Sequence, residues 1–249
     1  PLILFGLPAN HYTGIPDRIR SQCHIPVFFF DGDIPASLPR FNGFASGFKG
    51  YQNACLGEYD GVMCNSEGGS DDLLKLGARW VKPVHWGVDP ELYAPISCQE
   101  DFDILFYGYG TEYRETWIDA MITQPARMAP EYSFAIGGTG IAASLPNTLA
   151  LGDIPYHALR QACCRSRISL SITRQAHATV FASSSLRLFE LAAMGRCIVI
   201  NPQEGVERWF EPGVELMLVD SASNASDVYK RLLADESLHR HMGEAARKR

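Results

Sequence analysis

The sequence predicts an α/β fold made of two domains, each a parallel β-sheet covered by helices. Short apolar runs alternate along the chain with amphipathic stretches of helical length, and Gly, Pro or Asn residues separate them. Such alternation is typical of βαβ units, which build parallel, Rossmann-like sheets. Several runs, among them Val27–Phe30 and Ile198–Ile200, are apolar at consecutive positions. Strands of this kind are covered on both faces of the sheet.

The predicted strands are the runs rich in β-branched, aromatic and aliphatic residues. In chain order they are Leu2–Leu7, Pro26–Phe30, Gly61–Asn65, Val81–Val84, Asp103–Tyr107, Tyr132–Ile136, Ile168–Ile172, Cys197–Ile200 and Glu215–Val219. The predicted helices are the amphipathic stretches, most of which stand between two strands. They are Ala45–Leu56, Gly69–Leu76, Glu112–Thr123, Pro155–Cys164, Ser185–Met194 and Ala225–Ala234.

A turn-rich stretch without a helical pattern interrupts the alternation between residues 86 and 101. We therefore predict a first domain at residues 1–97, a second at 98–235, and the start of a C-terminal helix at 236–249. The first domain contains about four strands, which is few for a complete doubly wound domain. The chain also opens on Pro1 rather than Met and ends within the last predicted helix. We therefore expect a fragment with an incomplete N-terminal domain and a truncated final helix.

Composition restricts the class of partner. The 22 basic and 28 acidic residues give a net charge of −6, which argues against nucleic-acid binding dominated by phosphate contacts. No apolar run approaches the roughly 18 residues that a transmembrane helix needs. Seven cysteines without metal-binding spacing favour reduced thiols and a cytoplasmic location.

Two glycine-rich loops follow consecutive predicted strands of the second domain. Gly108-Tyr109-Gly110 leads towards Arg114, and Gly137-Gly138-Thr139-Gly140 follows the next strand. The carboxyl ends of parallel strands meet at one edge of a sheet, where helix N-termini present free N–H groups to ligands. The loops therefore indicate a phosphate contact, and ordinary tight turns are the alternative.

The most informative motif surrounds the predicted helix Ser185–Met194. Ser183, Ser184 and Ser185 precede it as candidate N-caps that leave groups for a phosphate, and Arg174 follows the preceding strand. Leu188, Leu191 and Ala192 form its apolar stripe, and Gly195 ends it. Arg187 and Glu190 are three residues apart and can project from one side of the helix. A carboxylate can bind a ribose diol and an arginine a diphosphate; a solvated ion pair is the alternative.

Candidate acid–base groups also occur in the first domain. Asp31 and Asp33 follow the strand Pro26–Phe30, and His11 follows the first strand. Each is a candidate general base or acceptor ligand. The alternative is that the aspartates cap their loop and that His11 is a turn residue.

The segment Ser171–Val219 resembles the C-terminal domain of GT-B glycosyltransferases, in particular the bacterial branch related to spore-maturation glycosyltransferases. The resemblance rests on Ser-Ile-Thr-Arg at 171–174, Leu-Arg-Leu-Phe-Glu-Leu-Ala-Ala-Met-Gly at 186–195 and Glu-Gly-Val-Glu-Arg-Trp-Phe-Glu-Pro-Gly at 204–213. His85–Pro90, with Tyr93 and Pro95, is similar to the interdomain turn of the same superfamily. The resemblance extends over residues 26–247 and is specific at 171–219.

This resemblance implies a hexosyltransferase-like enzyme that moves a sugar from a nucleoside diphosphate sugar to a saccharide, protein or lipid acceptor. It implies that Glu190 contacts the nucleotide ribose and that arginines lie near the diphosphate. The donor-site residues are then Glu190, Arg114, Arg174, Arg187, Gly108, Gly110, Gly138, Ser184 and Ser185. Asp31, Asp33 and His11 are the catalytic candidates on the acceptor side. No metal or other cofactor is expected, because GT-B folds typically stabilise the departing diphosphate with basic side chains and helix dipoles.

The chain departs from the family pattern at Ala182. Many retaining GT-B enzymes carry a second acidic residue eight positions before the helix glutamate, and Ala182 occupies that place here. The choice between retention and inversion therefore stays open. So do two other functions: a nucleotide-sugar epimerase of the same fold, and a non-catalytic binding protein of the envelope or spore.

Overall fold

The computed structural model describes residues 1–41, 49–111, 113–141 and 145–249. The chain forms two compact units: Pro1–Trp86 with Ala176–Ser184, and Gly87–Gln175 with Ser185–Arg249. Within the described residues each unit contains one sheet, and the strands of both sheets pair in parallel. The predicted α/β class with two parallel sheets is therefore confirmed.

The sheet of the first unit has, in the described part of the chain, four strands that follow one another in sequence order. They are β1 (Leu2–Leu4), β2 (Val27–Asp31), β3 (Gly61–Cys64) and β4 (Val81–Pro83), with helices α1 (Ile15–Cys23) and α2 (Ser70–Lys75) between β1 and β2 and between β3 and β4. Val27, Phe29 and Val62 lie in the core of this unit. Asp31 is the last residue of β2, so it stands at the carboxyl edge of the sheet.

The described strands of the second unit form a six-stranded sheet in the order β10, β9, β8, β5, β6, β7. These strands are β5 (Phe102–Tyr107), β6 (Phe134–Gly137), β7 (Thr148–Gly152), β8 (Ser166–Ser171), β9 (Cys197–Ile200) and β10 (Met217–Leu218). The helices from residue 115 onward are α3 (Glu115–Ile118), α4 (Gln124–Met128), α5 (Tyr156–Cys164), α6 (Gln175–Ala178), α7 (Leu186–Ala193), α8 (Ala222–Ala234) and α9 (Glu236–Lys248). No helix in the described ranges is long and apolar enough to cross a membrane.

Strand β5 shows why the strands of this sheet have apolar residues at consecutive positions. Ile104 and Phe106 pack into the core on one face, whereas Leu105 and Tyr107 pack into the core on the other. Successive side chains of a strand point to opposite faces. The sheet is therefore covered on both sides, as the sequence predicts.

Strand β7 and helices α1, α4 and α6 were not predicted, because the local pattern of each is short or weak. Strand β7 lies at the sheet edge with most of its side chains at least partly exposed, and α1 buries only Pro16. The predicted helix Ala45–Leu56 begins among residues outside the described ranges, and its described part contains turns that lead into a 3-10 turn at Leu56–Glu58. Glu112, the predicted start of another helix, also lies outside the described residues; α3 begins at Glu115.

The two units divide between Trp86 and Gly87, whereas the sequence placed the domain boundary near residue 97. The turn-rich stretch belongs to the second unit because its apolar residues pack there. Tyr93 is buried in the core around β5 and α7, and Val88 and Ile96 pack against that core. A stretch without helical or strand periodicity does not reveal which unit it packs on.

Residues 176–184 belong to the first unit although they follow β8 of the second. Their backbone is bound to the loop after β3: the N–H of Glu67 donates to the carbonyl of Ala182 at 3.2 Å, and the N–H of Gly68 donates to that of Phe181 at 3.0 Å. Ser66 and Ser183 also share a hydrogen bond between their hydroxyls at 2.7 Å. This segment therefore completes the carboxyl edge of the first sheet.

A π-helical turn at Asp119–Thr123 joins α3 to α4. Pro125 has no N–H to donate to the carbonyl of Met121, its partner in a regular α-helix. The buried hydroxyl of Tyr229 donates to that carbonyl at 2.8 Å. Burial raises the pKa of Tyr229 above its ordinary value, so this hydroxyl keeps its proton. The contact attaches α8 to the irregular turn.

We expect Tyr229→Phe to lower the free energy of unfolding by about 1–2 kcal/mol, because the Met121 carbonyl then stays buried without its donor. Tyr59→Phe is the matched control, since the Tyr59 hydroxyl is buried and has no hydrogen-bond partner among the described residues. That control should be neutral or stabilising. Urea denaturation at a constant m-value measures both. Equal effects of the two variants would contradict the role assigned to Tyr229.

Candidate functional site

A cavity of about 480 Å³ lies at the carboxyl edge of the second sheet. It is lined by Tyr107 and Gly108 at the end of β5, by Gly138 after β6, and by Arg187 and Glu190 of α7. Strand β5 pairs with β6 on one side and with β8 on the other. The strand order therefore reverses at β5, and ligands of open α/β sheets bind at such points.

Glu190 is the buried centre of this cavity wall, with a side chain only 3% exposed. Its Oε1 accepts a hydrogen bond from the Tyr93 hydroxyl at 3.1 Å, and its Oε2 accepts one from the Tyr107 hydroxyl at 2.8 Å. Nη1 of Arg187 also donates to Oε2, at 2.6 Å. Burial raises the pKa of Glu190, whereas the charge and hydrogen bond of Arg187 oppose that rise. Three donors therefore hold the carboxylate in one orientation.

Arg187 is held by two neighbours at once. It pairs with Glu190, and its guanidinium lies over the Tyr107 ring, 3.0 Å from the ring centre. Burial lowers the pKa of Arg187 to about 10, and the Glu190 carboxylate opposes that change. The ion pair that the sequence allowed as an alternative is thus present. It lies in a cavity wall rather than on a solvated face.

Both ends of helix α7 are defined by its neighbouring residues, and this fixes where Arg187 and Glu190 lie along the helix. Ser185 is its N-cap in an extended conformation, and Gly195, two residues past its end, has φ +64°. Leu188 and Leu191 are buried on the face that packs against the sheet, as the apolar stripe predicts. The stripe fixes the rotation of the helix, and that rotation directs Glu190 to the cavity.

The two glycine-rich loops are bonded to each other through their backbones. The N–H of Gly108 donates to the Gly137 carbonyl at 3.0 Å, and the N–H of Gly110 donates to the Thr139 carbonyl at 2.8 Å. Gly138 has φ +102°, and a Cβ there would collide with the Gly108 carbonyl. Glycine is therefore required for this close approach. Gly108 and Gly138 also line the cavity, whereas Gly110 is not among its described lining residues.

The other residues that the sequence predicts for the sugar-donor site are not among the described residues that line this cavity. Nε of Arg114 donates to the Ile172 carbonyl at 3.0 Å, which connects the loop after β5 to the end of β8. Arg174 follows two residues later, half-buried. Ser185 caps α7, and its side chain makes no capping hydrogen bond.

Ser184 differs most from its prediction. The sequence suggests a hydroxyl that faces a phosphate, but Ser184 is buried in the first unit. Its Oγ accepts from the N–H of Trp86 at 2.9 Å and donates to the Asn65 carbonyl at 3.0 Å. These bonds join the ends of two loops at the edge of the first sheet.

A second cavity, of about 300 Å³, lies in the first unit. Aromatic and aliphatic side chains form most of its wall, and its polar groups include Asp31, Asp33, Ser37 and Tyr51. Oδ2 of Asp31 accepts from the Ser37 hydroxyl at 2.7 Å and from the Tyr51 hydroxyl at 2.6 Å, and its Oδ1 accepts from the N–H of Asp33 at 2.8 Å. The Asp31 carboxylate therefore stabilises the loop after β2.

Asp33 has a partner that sequence reasoning missed. Its Oδ1 lies 3.8 Å from Nε2 of His177, a buried residue of α6. Nothing in the local pattern relates these residues, which are brought together by the return of residues 176–184 to the first unit. His11 is exposed in the 3-10 turn Ala9–Tyr12 and is not among the described residues that line this cavity.

Comparison with known families gives one match. A family described as "Glycosyl transferase-like" matches residues 114–249, more than half of the chain. The matched region contains α7 with Glu190 and Arg187. No curated protein matches the sequence significantly.

Solved structures share the fold at low sequence identity. Anabaena Alr3699/HepE in complex with UDP is 14% identical and has a TM-score of 0.70. The structural alignment covers 94% of this chain and 70% of that one. Sucrose-phosphate synthase (tll1590) from Thermosynechococcus elongatus is 13% identical, with a TM-score of 0.63 and coverages of 93% and 64%. T4 phage BGT in complex with its UDP-glucose substrate is 13% identical, with a TM-score of 0.60 and coverages of 90% and 68%. These likenesses establish the Rossmann-like GT-B architecture of the chain.

We expect Gly138→Ala to lower the free energy of unfolding by more than about 1 kcal/mol, because it adds a Cβ at positive φ against the Gly108 carbonyl. Gly57→Ala is the control, since its Cβ would stand 3.6 Å from the Gly77 carbonyl, an ordinary contact. That control should be neutral or stabilising by up to about 1 kcal/mol. Thermal and urea unfolding compare the two. A Gly138 variant as stable as the control would show that the loops do not need this close approach.

Proposed function

Because the chain belongs to the glycosyl transferase-like family, we propose that it transfers a sugar from a UDP-sugar to the hydroxyl group of an acceptor. The observation that carries the proposal is the buried Glu190–Arg187 pair in the wall of the second unit's cavity. Two structural neighbours support uridine as the base: HepE was solved with UDP-glucose, and T4 phage BGT with its UDP-glucose substrate.

The proposed donor site uses Glu190 to hold the ribose. A carboxylate has about four acceptor positions, and Tyr93, Tyr107 and Arg187 fill three of them in the described structure. A ribose diol donates two hydrogen bonds, so one of these partners has to leave. Arg187 is the partner with a competing ligand, because its guanidinium fork also fits the diphosphate. Donor binding therefore transfers Arg187 from Glu190 to the diphosphate.

The departing diphosphate needs further positive charge, since the protein has a net charge of −6. Arg114 and Arg174 are the proposed sources. Arg114 is anchored to the end of β8 through Ile172, and Arg174 follows that same strand end. Fixed positive groups beside a developing negative charge are worth more than mobile ones, because they need no reorganisation during the reaction.

On the acceptor side, Asp33 is a better proposed base than Asp31. Both oxygens of Asp31 accept hydrogen bonds that hold the loop, whereas the Asp33 carboxylate faces the His177 imidazole. In the transfer, the acceptor oxygen forms the bond to the anomeric carbon and the bond from that carbon to UDP breaks. The hydroxyl proton moves to Asp33. The stereochemical outcome is left open.

We also propose two properties of the whole protein. One is membership in the bacterial branch related to spore-maturation glycosyltransferases, which rests on the motif at residues 171–219. The other is a cytoplasmic location, which is supported by the seven cysteines, all of them free thiols.

We expect Glu190→Gln to weaken UDP binding by about 1–3 kcal/mol, because the amide replaces one acceptor oxygen with an NH2 donor and removes the negative charge that strengthens the hydrogen bonds from the ribose. Glu236→Gln is the matched control, since Glu236 pairs with Arg240 on the surface of α9 at 2.9 Å. Isothermal titration calorimetry with UDP measures both variants. Wild-type affinity in a folded Glu190→Gln protein would overturn the assignment.

The pH dependence of UDP binding provides a second readout for Glu190. Since burial raises its pKa above the ordinary 4.5, the carboxylate gains a proton at a higher pH than an exposed glutamate does. Wild-type affinity should therefore fall as the pH drops through that raised pKa, at values above 4.5. Protonation of UDP itself contributes equally to the pH profiles of the wild type and of the Glu190→Gln variant. The difference between the two profiles therefore reports on Glu190 alone.

We expect Arg114→Ala and Arg174→Ala each to reduce kcat/KM for the UDP-sugar by roughly 10²-fold, because each removes charge that stabilises the leaving group. The salt sensitivity of kcat/KM should also fall in both variants. Arg127→Ala, on the exposed side of α4, is the control and should change neither quantity. Steady-state kinetics at two ionic strengths test this. If both variants keep wild-type kinetics, the diphosphate lies elsewhere.

A further inference from the structure

We infer that the acceptor carries an apolar body that fills the cavity of the first unit, with a neutral hydroxyl beside the carboxylates of Asp31 and Asp33. The inference rests on the proposed function and names the acceptor class, which neither the family nor the structural neighbours supply. It follows from the chemistry of the cavity wall, from the rigidity of that wall and from the position of the carboxylates.

The wall presents carbon surface to water. Phe5 and Leu7 line the cavity and are 67% and 52% exposed, and Phe30 and Trp86 line it as well. Small-molecule sites are mostly apolar, with a few placed polar groups that fix orientation. A ligand with an alkyl or aromatic body covers this carbon surface, and the gain is proportional to the area removed from water. A bare saccharide would instead lose water from its hydroxyls against carbon.

The aromatic part of the wall is fixed before any ligand arrives. Nε1 of Trp86 donates to the Gly32 carbonyl at 2.9 Å, and its ring meets that of Phe30 edge-on, with centroids 5.6 Å apart. A Cβ on Gly32 would collide with the Trp86 ring, so glycine permits the close stacking. Ser184 also binds the backbone N–H of Trp86. A preformed wall lowers the ordering cost of binding.

The polar groups set the charge of the ligand. Asp31 and Asp33 both line the cavity and flank Gly32, the residue against which Trp86 packs. An anionic head group would approach two acidic side chains in a partly desolvated space, where like charges repel strongly. A neutral hydroxyl can instead donate to a carboxylate. The apolar wall and its two carboxylates together therefore favour a neutral alcohol with an apolar body over an anion.

Three probes separate these features on the full chain: 1-octanol, ethanol and octanoate. Octanol and ethanol share the hydroxyl but differ in apolar body, whereas octanol and octanoate share the body but differ in charge. Ligand-observed NMR titrations measure the Kd values. We expect octanol to bind at least about tenfold more tightly than ethanol, since each buried methylene contributes roughly fourfold. Octanoate should bind at least about fivefold more weakly than octanol.

Variants of exposed residues locate the binding. Phe5→Ser and Leu7→Ser should each weaken octanol binding severalfold while UDP affinity stays at the wild-type value. Ile3→Ser is the matched control, because Ile3 is 51% exposed on β1 and is not among the described residues that line the cavity. It should leave both affinities unchanged. Equal losses from all three substitutions would place octanol on general apolar surface and overturn the inference.

The two proposals fail in different ways. If UDP binds and Glu190→Gln weakens it, while octanol binds no better than ethanol, the acceptor class is wrong and the transferase proposal stands. If octanoate binds as tightly as octanol, the requirement for a neutral head group is wrong. If octanol binds but UDP does not, the transferase proposal fails, and the cavity is then no acceptor site.

Discussion

The second unit depends on one buried carboxylate. Glu190 receives hydrogen bonds from three parts of the chain: Tyr93 of the turn-rich stretch, Tyr107 at the end of β5, and Arg187 of its own helix. A buried charge without partners is strongly unfavourable, so hydrogen-bond donors around Glu190 stabilise its carboxylate. The same bonds fix the turn-rich stretch, the strand end and the helix relative to one another. The group proposed to bind the ribose is thus also the group that assembles its own cavity.

Glycine at this sheet edge serves packing and the candidate site together. The sequence suggested that Gly108 and Gly138 admit a phosphate, but glycine at 138 is already required by its close approach to the Gly108 carbonyl in the contact between the two loops. Close packing leaves both backbones at the cavity wall, where a ligand can approach them. A glycine-rich loop is therefore weak evidence for a phosphate by itself. It becomes stronger here because Arg187 and Glu190 line the same cavity.

Features that depend on local pattern could be predicted from the sequence, whereas those that depend on distant contacts could not. The apolar stripe of α7 predicted its buried face, and the spacing of three residues predicted that Arg187 and Glu190 project from one side of the helix, because a helix has a fixed periodicity. The edge strand β7 was missed because exposure weakens its apolar pattern. The approach of His177 to Asp33 left no signal at all. It exists only because residues 176–184 belong to the first unit.

Ala182 shows how the same segment limits the chemistry. It is fully buried, has φ +47°, and its carbonyl accepts from the N–H of Glu67. A non-glycine residue persists in this conformation only where its surroundings impose it, and here the backbone pairing does so. An acidic side chain at this place would be buried within the first unit, where a charge needs partners. Under the proposed function, contacts to the donor sugar ring therefore come from other residues. Position 182 instead stabilises the backbone through the hydrogen bond that its carbonyl accepts from Glu67.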